Sequence, residues 1–292
     1  MPITIIDPRN AELGGGLIVH RSLPSRQQRM IGAWCFLDHA GPVEFADTQG
    51  MHVGAHPHIG LQTFTWMIEG QVLHRDSLGN EQMISPGEVN LMTAGRGIVH
   101  TEDSLTDGQR LHAAQLWIAL PPEAQNCEPD FAHYADPPHW EQNGVNITLL
   151  AGDYQNQIAP TKLYSKLVGL DFASKQASTV RLDLEQDFEY GLLPLTGHIR
   201  VNDQLVKTDQ LAYLPPGKDR LQLELSKDCR ALLLGGVPFE KPILMWWNFV
   251  GFTKAEIVKA QEQWECADSR FPQVGDGQAP KLVAPPIPWS DL

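Results

Sequence analysis

Two short segments of this chain carry metal-capable side chains one residue apart. "HPHIGLQTFTWMIEG" opens with His56 and His58, and "MTAGRGIVHTE" ends with His100 and Glu102. In a β-strand, residues i and i+2 point to the same face. Each pair would therefore converge on one side of its strand. Two adjacent strands with both pairs turned inward would surround a single ion with three imidazoles and one carboxylate. Pro57 cannot donate to a ladder and is tolerated at the start or edge of a strand. The donor set suits a borderline divalent ion (Fe, Mn, Ni, Cu or Zn) and not Mg or Ca, which prefer oxygen. Four protein ligands on an octahedral ion leave two positions open to O2, water or a bidentate substrate, the logic of non-haem iron oxygenases with one more histidine. The same four on a tetrahedral zinc would close the site and serve structure alone. Spacing by itself also leaves chance pairs as an alternative in a chain with 11 histidines.

The elements that would position these residues are mostly strands. Gly and Pro are spread along the chain and cut it into short segments rich in β-branched and aromatic residues. "LQTFTWMIEG", "LHAAQLWIAL", "STVRLDLEQ", "GHIRVNDQLVKT" and "RALLLGGV" all have strand character between turn signals. Many short strands at close spacing predict a sandwich, barrel or jelly roll. "TKAEIVKAQEQWE" is the exception. Thr253 with Glu256 forms a capping box, and Ile257, Ala260, Gln261 and Trp264 fall at helical spacing. The Pro/Gly-rich "FPQVGDGQAPKLVAPPIPWSDL" beyond it predicts an extended tail that packs on something.

The chain also repeats itself. "TWMIEGQVLHRDSLGNEQMISPGEVNLM" and "LLPLTGHIRVNDQLVKTDQLAYLPPG" share one succession of strands and turns, with Glu69-Gly70 matching Thr196-Gly197 and "SLGN" matching Asn202-Asp203. This predicts two related β domains, divided near Pro137 and Pro138, as 1–136 and 137–292. The second half has "LDLEQDFEY" where the first has its His pair, and His198 has no His-x-His partner. If both halves share a fold, only the first holds a metal.

Composition narrows the function. With 292 residues and 42% apolar content the chain can build two cores. It has no run long enough to cross a bilayer, and its N-terminus lacks the basic-then-apolar pattern of a signal peptide. Cys35, Cys127, Cys229 and Cys266 form no CxxC pair, which fits a reducing, cytoplasmic setting. A net charge of −13 with no basic window argues against direct nucleic-acid binding.

"HPHIGLQTFTWMIEG", "HRDSLGN", "GEVNLMTAGRGIVHTE" and "FLDHAGP" together resemble the pirin family of the cupin superfamily. The resemblance extends over most of the chain, including "WWNFVG" and the helix after it. It implies an all-β protein of two jelly-roll-type cupin barrels packed face to face. The N-terminal one holds a single metal, Fe(II) above Mn, Ni, Cu or Zn, on His56, His58, His100 and Glu102. The C-terminal one, metal-free, carries the helix and tail. It further implies dioxygenase activity toward flavonols such as quercetin, with O2-dependent ring opening and release of CO, and Glu102 as the base that takes the 3-hydroxyl proton. The alternative is a metal-containing interaction module that binds a transcription regulator or a metabolic enzyme. Many family members read "HPHRGFET"; Ile59 and Gln62 depart from that pattern.

Strand alternation from His58 predicts Gln62 and Phe64 in the pocket, with Met92 and Gln115 also lining it. His74 is expected to brace a turn or support a ligand, and Asp38 and His39 to serve turn and packing roles.

Overall fold

The computed structural model describes residues 3–13, 16–46, 50–104 and 110–289. Turn residues end each strand after a few positions, so strand succeeds strand. The first run is β1 (Thr4–Ile6), β2 (Arg9–Leu13), β3 (Leu17–Leu23), β4 (Trp34–Glu44), β5 (His52–His58) and β6 (Leu61–Glu69). It continues with β7 (Val72–Asp76), β8 (Glu81–Ile84), β9 (Val89–Thr93), β10 (Ile98–Ser104), β11 (Arg110–Ala119) and β12 (Asp130–Tyr134). Then come β13 (His139–Gln142), β14 (Val145–Ala151), β15 (Asp153–Tyr154), β16 (Gln157–Ile158), β17 (Leu167–Ser174), β18 (Ser178–Asp183) and β19 (Glu189–Thr196). The last are β20 (His198–Val201), β21 (Gln204–Lys207), β22 (Leu211–Leu214), β23 (Arg220–Leu225), β24 (Cys229–Gly236), β25 (Leu244–Trp246), β26 (Phe249–Gly251) and the helix α1 (Lys254–Glu265).

The expected repeat is present strand for strand. A seven-stranded sheet, β12-β9-β6-β11-β4-β3-β2, accompanies a four-stranded sheet, β5-β10-β7-β8. The second set has the same order, β1-β22-β19-β24-β17-β14-β13 with β18-β23-β20-β21. Gly70 and Gly197, matched from sequence, make the equivalent turns β6–β7 and β19–β20 at φ 84° and 69°. In the second set the two inner faces meet in an apolar core that includes Leu170, Phe172, Val180, Leu182, Leu223 and Leu233.

Contacts divide the chain into two units, and not by a single cut. One comprises Met1–Ala11, His20–His39 and Tyr134–Phe239; the other comprises Glu12–Val19, Ala40–His133 and Glu240–Leu292. The helix and tail, expected with the C-terminal half, thus group with the histidine-bearing barrel. The cause is apolar burial. Ile257, Ala260 and Trp264 of α1, with Phe271, Val274 and Ala284 of the tail, pack against Ala55, Ile59 and Val99. The helix itself forms as predicted. Thr253 caps it through the Glu256 amide and the Glu256 carboxylate returns to the cap, while Ile257, Ala260, Gln261 and Trp264 form the buried stripe. The tail pairs with β5: the Ala55 amide donates to Pro280 O (2.8 Å) and the Leu282 amide to Ala55 O (2.8 Å). Residues 290–292 of the expected tail lie outside the described residues.

Candidate metal centre

β10 lies between β5 and β7, and its register sets the site. His100 stands opposite His56 on one side and Asp76 on the other. Glu102 stands opposite His74 on β7 and Val53 on β5, with a register shift between His100 and Glu102 on the β5 side. Cross-strand partners share a face, so His56, His58, His74, Asp76, His100 and Glu102 gather on the inner face of one small sheet. Their neighbours Ala55 and Val99 point the other way, under the C-terminal helix and tail.

The ligand-capable atoms of His56, His58 and His100 all lie within 4.8 Å of one another. A second group, His74, His100 and Glu102, meets the same limit and shares His100. The structure therefore assembles the three predicted histidines directly. The register shift sets Glu102 beside His74, at the side of that cluster. His58 Nε2 and His100 Nε2 are 3.1 Å apart. Two nitrogens each about 2.1 Å from one ion, at close to a right angle, would be about 3 Å apart. The histidine cluster fits a divalent metal.

Hydrogen bonds aim the rings. The His56 Nδ1–H donates to the Gly54 carbonyl at 2.8 Å, leaving Nε2 as the lone-pair nitrogen. His74 Nε2 lies 3.2 Å from Asp76 Oδ2. A carboxylate only accepts, so this nitrogen carries the proton. Nδ1 of a neutral His74 then accepts from His100 Nδ1, 3.4 Å away, which frees His100 Nε2 for an ion. The Asp76 carboxylate also accepts from the Asn80 side chain (2.9 Å) and the Leu78 amide (2.9 Å). His74 thus lies within its strand and supports His100, while Asp76 braces the turn. Such outer partners fix ligand tautomer and raise ligand basicity.

Burial favours the uncharged forms. It lowers His56 to about 4, against the donated Gly54 bond that raises it. Burial, then the neighbouring His56, lower His58 and His100 well below the ordinary histidine value. Neutral imidazole is the form that binds metal. Burial raises the Glu102 carboxyl. Asp76 is pushed up by burial, but the His74 and Asn80 hydrogen bonds outweigh this and hold it below the usual carboxylate range.

The wall facing the cluster comes from β6, β9, β11 and β12. Its orientation is set by Trp117, whose ring centre lies 5.2 Å from that of His58. Trp117 pairs with Thr63, Thr63 with Met92, and Gln115 with Thr65 and hence Asn90. This face therefore carries Thr63, Thr65, Asn90, Met92, Gln115 and Trp117. Thr65 Oγ1 donates to Gln115 Oε1 at 2.9 Å. His133 Nδ1 donates to Asn90 Oδ1 at 2.8 Å, and Phe131 stacks on His74 with ring centres 4.4 Å apart.

Met92 and Gln115 lie on the expected face; Gln62 and Phe64 do not. Gln62 pairs with Thr93 and Ile118, and Phe64 with Leu91 and Leu116, on the opposite face. Gln62 Nε2 donates to Thr93 Oγ1 at 2.9 Å. Alternation from His58 fails because the chain leaves the small sheet and enters the large one through Gly60, at φ 69°. Thr63 and Thr65, alternating with Gln62, Phe64 and Trp66, were the sequence signal for the polar inner face. Asp38 and His39 lie within β4 and not in a turn. Asp38 accepts both guanidinium bonds of Arg21 at 2.7 Å, and His39 meets Asp209 at 2.6 Å.

Two barrels of one strand order, one bearing an inward histidine cluster and the other aliphatic at the corresponding strands, define a bicupin with, among the described residues, one candidate metal centre. Known proteins agree. The pirin pattern matches residues 16–118, and the pirin C-terminal cupin domain matches residues 169–271. A pirin-like protein of Caulobacter vibrioides is 34% identical, covering 94% of this chain and 96% of the relative. The chain belongs to the pirin family. A Pseudomonas aeruginosa protein provisionally named quercetin 2,3-dioxygenase is 58% identical over 97% of this chain and 90% of its own length. A crystal structure of quercetin 2,3-dioxygenase from Acinetobacter baumannii is similar at a TM-score of 0.95 and 49% identity, covering 98% of this chain and 96% of that one. An Escherichia coli pirin crystallised with nickel(II) shares the fold at a TM-score of 0.66 and 20% identity, covering 81% of this chain and 100% of that one.

Proposed function

We propose that this chain is a metal-dependent dioxygenase that opens the central ring of flavonols such as quercetin with O2 and releases CO. The observation that carries the reading is the convergence of His56, His58 and His100 beside Glu102, opposite a wall of rings and hydrogen-bonding groups. Relatives named for this reaction support it. Fe(II) is the ion we assign, held by the three imidazoles with Glu102 as the fourth ligand. When bound, it supplies Lewis acidity toward the flavonol 3-hydroxyl and redox contact with O2.

The remaining work falls to the chain. His56, His58 and His100 hold the ion through Nε2. Glu102, whose carboxyl is raised by burial toward the range useful to a general base, takes the 3-hydroxyl proton. Trp117, Phe131 and Met92 cover the flavonol rings, and Thr63, Thr65, Asn90, Gln115 and His133 meet its hydroxyl groups. Among the described residues no helix is long and apolar enough to cross a membrane. We assign the protein to the cytoplasm, a reading supported by its four free cysteines.

The test quantifies bound metal and follows quercetin's visible absorbance without oxygen and then in air, with Glu102→Gln alongside. Loss of the flavonol band on admitting O2, CO release, and collapse of both in the variant are expected. Stoichiometric iron with no spectral response to flavonol would overturn the assignment and favour the protein-interaction reading.

A further inference from the structure

The chain that follows β24 returns to the metal strand, and residues 240–292 fall in the same unit as the histidine cluster. Two isolated parallel bridges join it to β5 and its exit: Ala55 pairs with Lys281, and Ile59 with Phe249. They bracket the triplet His56-Pro57-His58. At the first bridge the Ala55 amide donates to Pro280 O and the Leu282 amide to Ala55 O, each at 2.8 Å. At the second the Val250 amide donates to Ile59 O at 3.1 Å, and a Cβ at Gly60 would collide with the Val250 carbonyl oxygen.

Each bridge lies next to a carbonyl that serves one ligand ring. Gly54, just before Ala55, accepts the His56 Nδ1–H at 2.8 Å. Asn248, just before Phe249, serves His58. Burial and then His56 lower this ring, and the Asn248 carbonyl acts against them. His58 Nδ1 is buried and forms no closed hydrogen bond among the described residues. A histidine that binds an ion through Nε2 keeps its proton on Nδ1 and donates it to such a carbonyl. The turn that presents Asn248 is strained. Trp246 pairs with Phe249, so Trp247 and Asn248 form a two-residue loop. Trp247 has φ 52°, a left-handed conformation that bulky residues rarely adopt. Its ring lies 5.4 Å from that of Phe249 and 6.5 Å from that of Trp264. Strain of this kind persists where the surroundings enforce it, and it gathers at functional positions.

Helix α1 ties the two contacts together. Gln261 is 5% exposed within the apolar stripe. Its Oε1 accepts from the Trp246 indole N–H at 3.0 Å, and its Nε2 donates to Pro285 O at 3.0 Å. Trp264 Nε1 donates to Leu282 O at 3.0 Å. Hairpin, helix and tail are therefore joined by buried hydrogen bonds and grip β5 on both sides of its histidines. We propose that residues 244–285 form a clamp that positions His56 and His58 and sets how tightly the first barrel retains its ion. Trp247 and Leu282 are positioning residues, the first acting through the Asn248 carbonyl and the second through Ala55. The clamp presupposes the metal assignment for the histidine cluster and is independent of flavonol chemistry.

Co(II) is the probe: its visible absorption reports ligand geometry, and chelator competition reports its affinity for the full chain. Leu282→Pro deletes the amide that bonds Ala55 O. Trp247→Gly keeps the left-handed turn accessible and removes the ring that holds it. Each should weaken Co(II) about tenfold and shift its visible band. Trp247→Phe keeps a ring against Phe249 and Trp264 and should retain wild-type affinity. Phe172→Leu, in the apolar core of the second barrel, should lower stability with Co(II) affinity and spectrum unchanged. Circular dichroism confirms the fold of each variant, and Leu282→Pro, in the tail, keeps the test decisive if Trp247→Gly does not fold. Unchanged affinity in either folded clamp variant, or an equal loss in Phe172→Leu, would overturn the clamp. A wild-type chain that takes up no Co(II) would overturn the metal assignment, and the clamp with it.

Discussion

The Nδ1 atoms of His74 and His100 lie 3.4 Å apart, and Asp76 holds the far nitrogen of His74. This chain of contacts selects the tautomer of His100 that exposes Nε2. In His74→Phe the ring volume stays and the acceptor goes. Metal affinity should fall about 10- to 100-fold. Chelator competition measures it, with circular dichroism confirming the fold; unchanged affinity would remove His74 from the site's support.

Burial sets a pH dependence for the metal-free protein. His56 titrates at about 4 in the folded chain, against 6.5 for an ordinary histidine, and His58 and His100 are lowered as well. Between about pH 4 and 6.5 the unfolded chain therefore binds more protons, and stability rises with pH through that window. His56 alone accounts for about 3 kcal/mol. Glu102, raised by burial, acts in the opposite sense, one group against three. Denaturant melts of chelator-treated protein at pH 4.5 and 7 should show the gain at pH 7, and a flat profile would contradict a neutral buried cluster.

Gly54 links the metal strand to the C-terminal tail. Its carbonyl accepts the His56 Nδ1–H, and a Cβ at this position would collide with the Pro280 carbonyl oxygen. Gly54→Ala should cost about 1–3 kcal/mol, as other overpacked sites do. It should also render the tail sensitive to proteolysis. Thermal melting and limited digestion check both, and an unaltered digestion pattern would mean that the tail does not depend on this contact.

The two faces of β6 and β11 predict opposite phenotypes. Gln115→Leu removes the acceptor of Thr65 on the metal-facing wall. It should raise KM for quercetin about tenfold, the worth of one hydrogen bond, with kcat largely kept. Phe64→Leu lies on the far face and should cost about 1–3 kcal/mol of stability without altering KM. Steady-state kinetics beside thermal melts separate the two; a KM effect from Phe64→Leu alone would reverse the face assignment.

Much of this architecture was legible in residue order. The His-x-His and His-x-Glu pairs could converge because strand side chains alternate, and three of the four now lie together. The repeat was readable because Gly70 and Gly197 mark equivalent turns, and Thr253 with Glu256 announced the helix because capping is a local hydrogen-bond pattern. The pocket wall was less legible. Alternation holds within a strand and is lost at a corner, so counting from His58 through Gly60 placed Gln62 and Phe64 on the wrong face. His74 gave no local sign of His100, nor His133 of Asn90, since these contacts join residues distant in sequence.

Residue order by itself thus determined the strand-rich class, the twofold repeat, the capped helix and the metal-capable histidines, all set by local periodicity and turn chemistry. Tertiary structure decided which barrel the helix and tail cover, which face of β6 looks at the metal centre, and that Glu102 stands beside His74. Those choices depend on register, on a corner between two sheets and on apolar burial between segments far apart in the chain, none of which is a local property of the sequence.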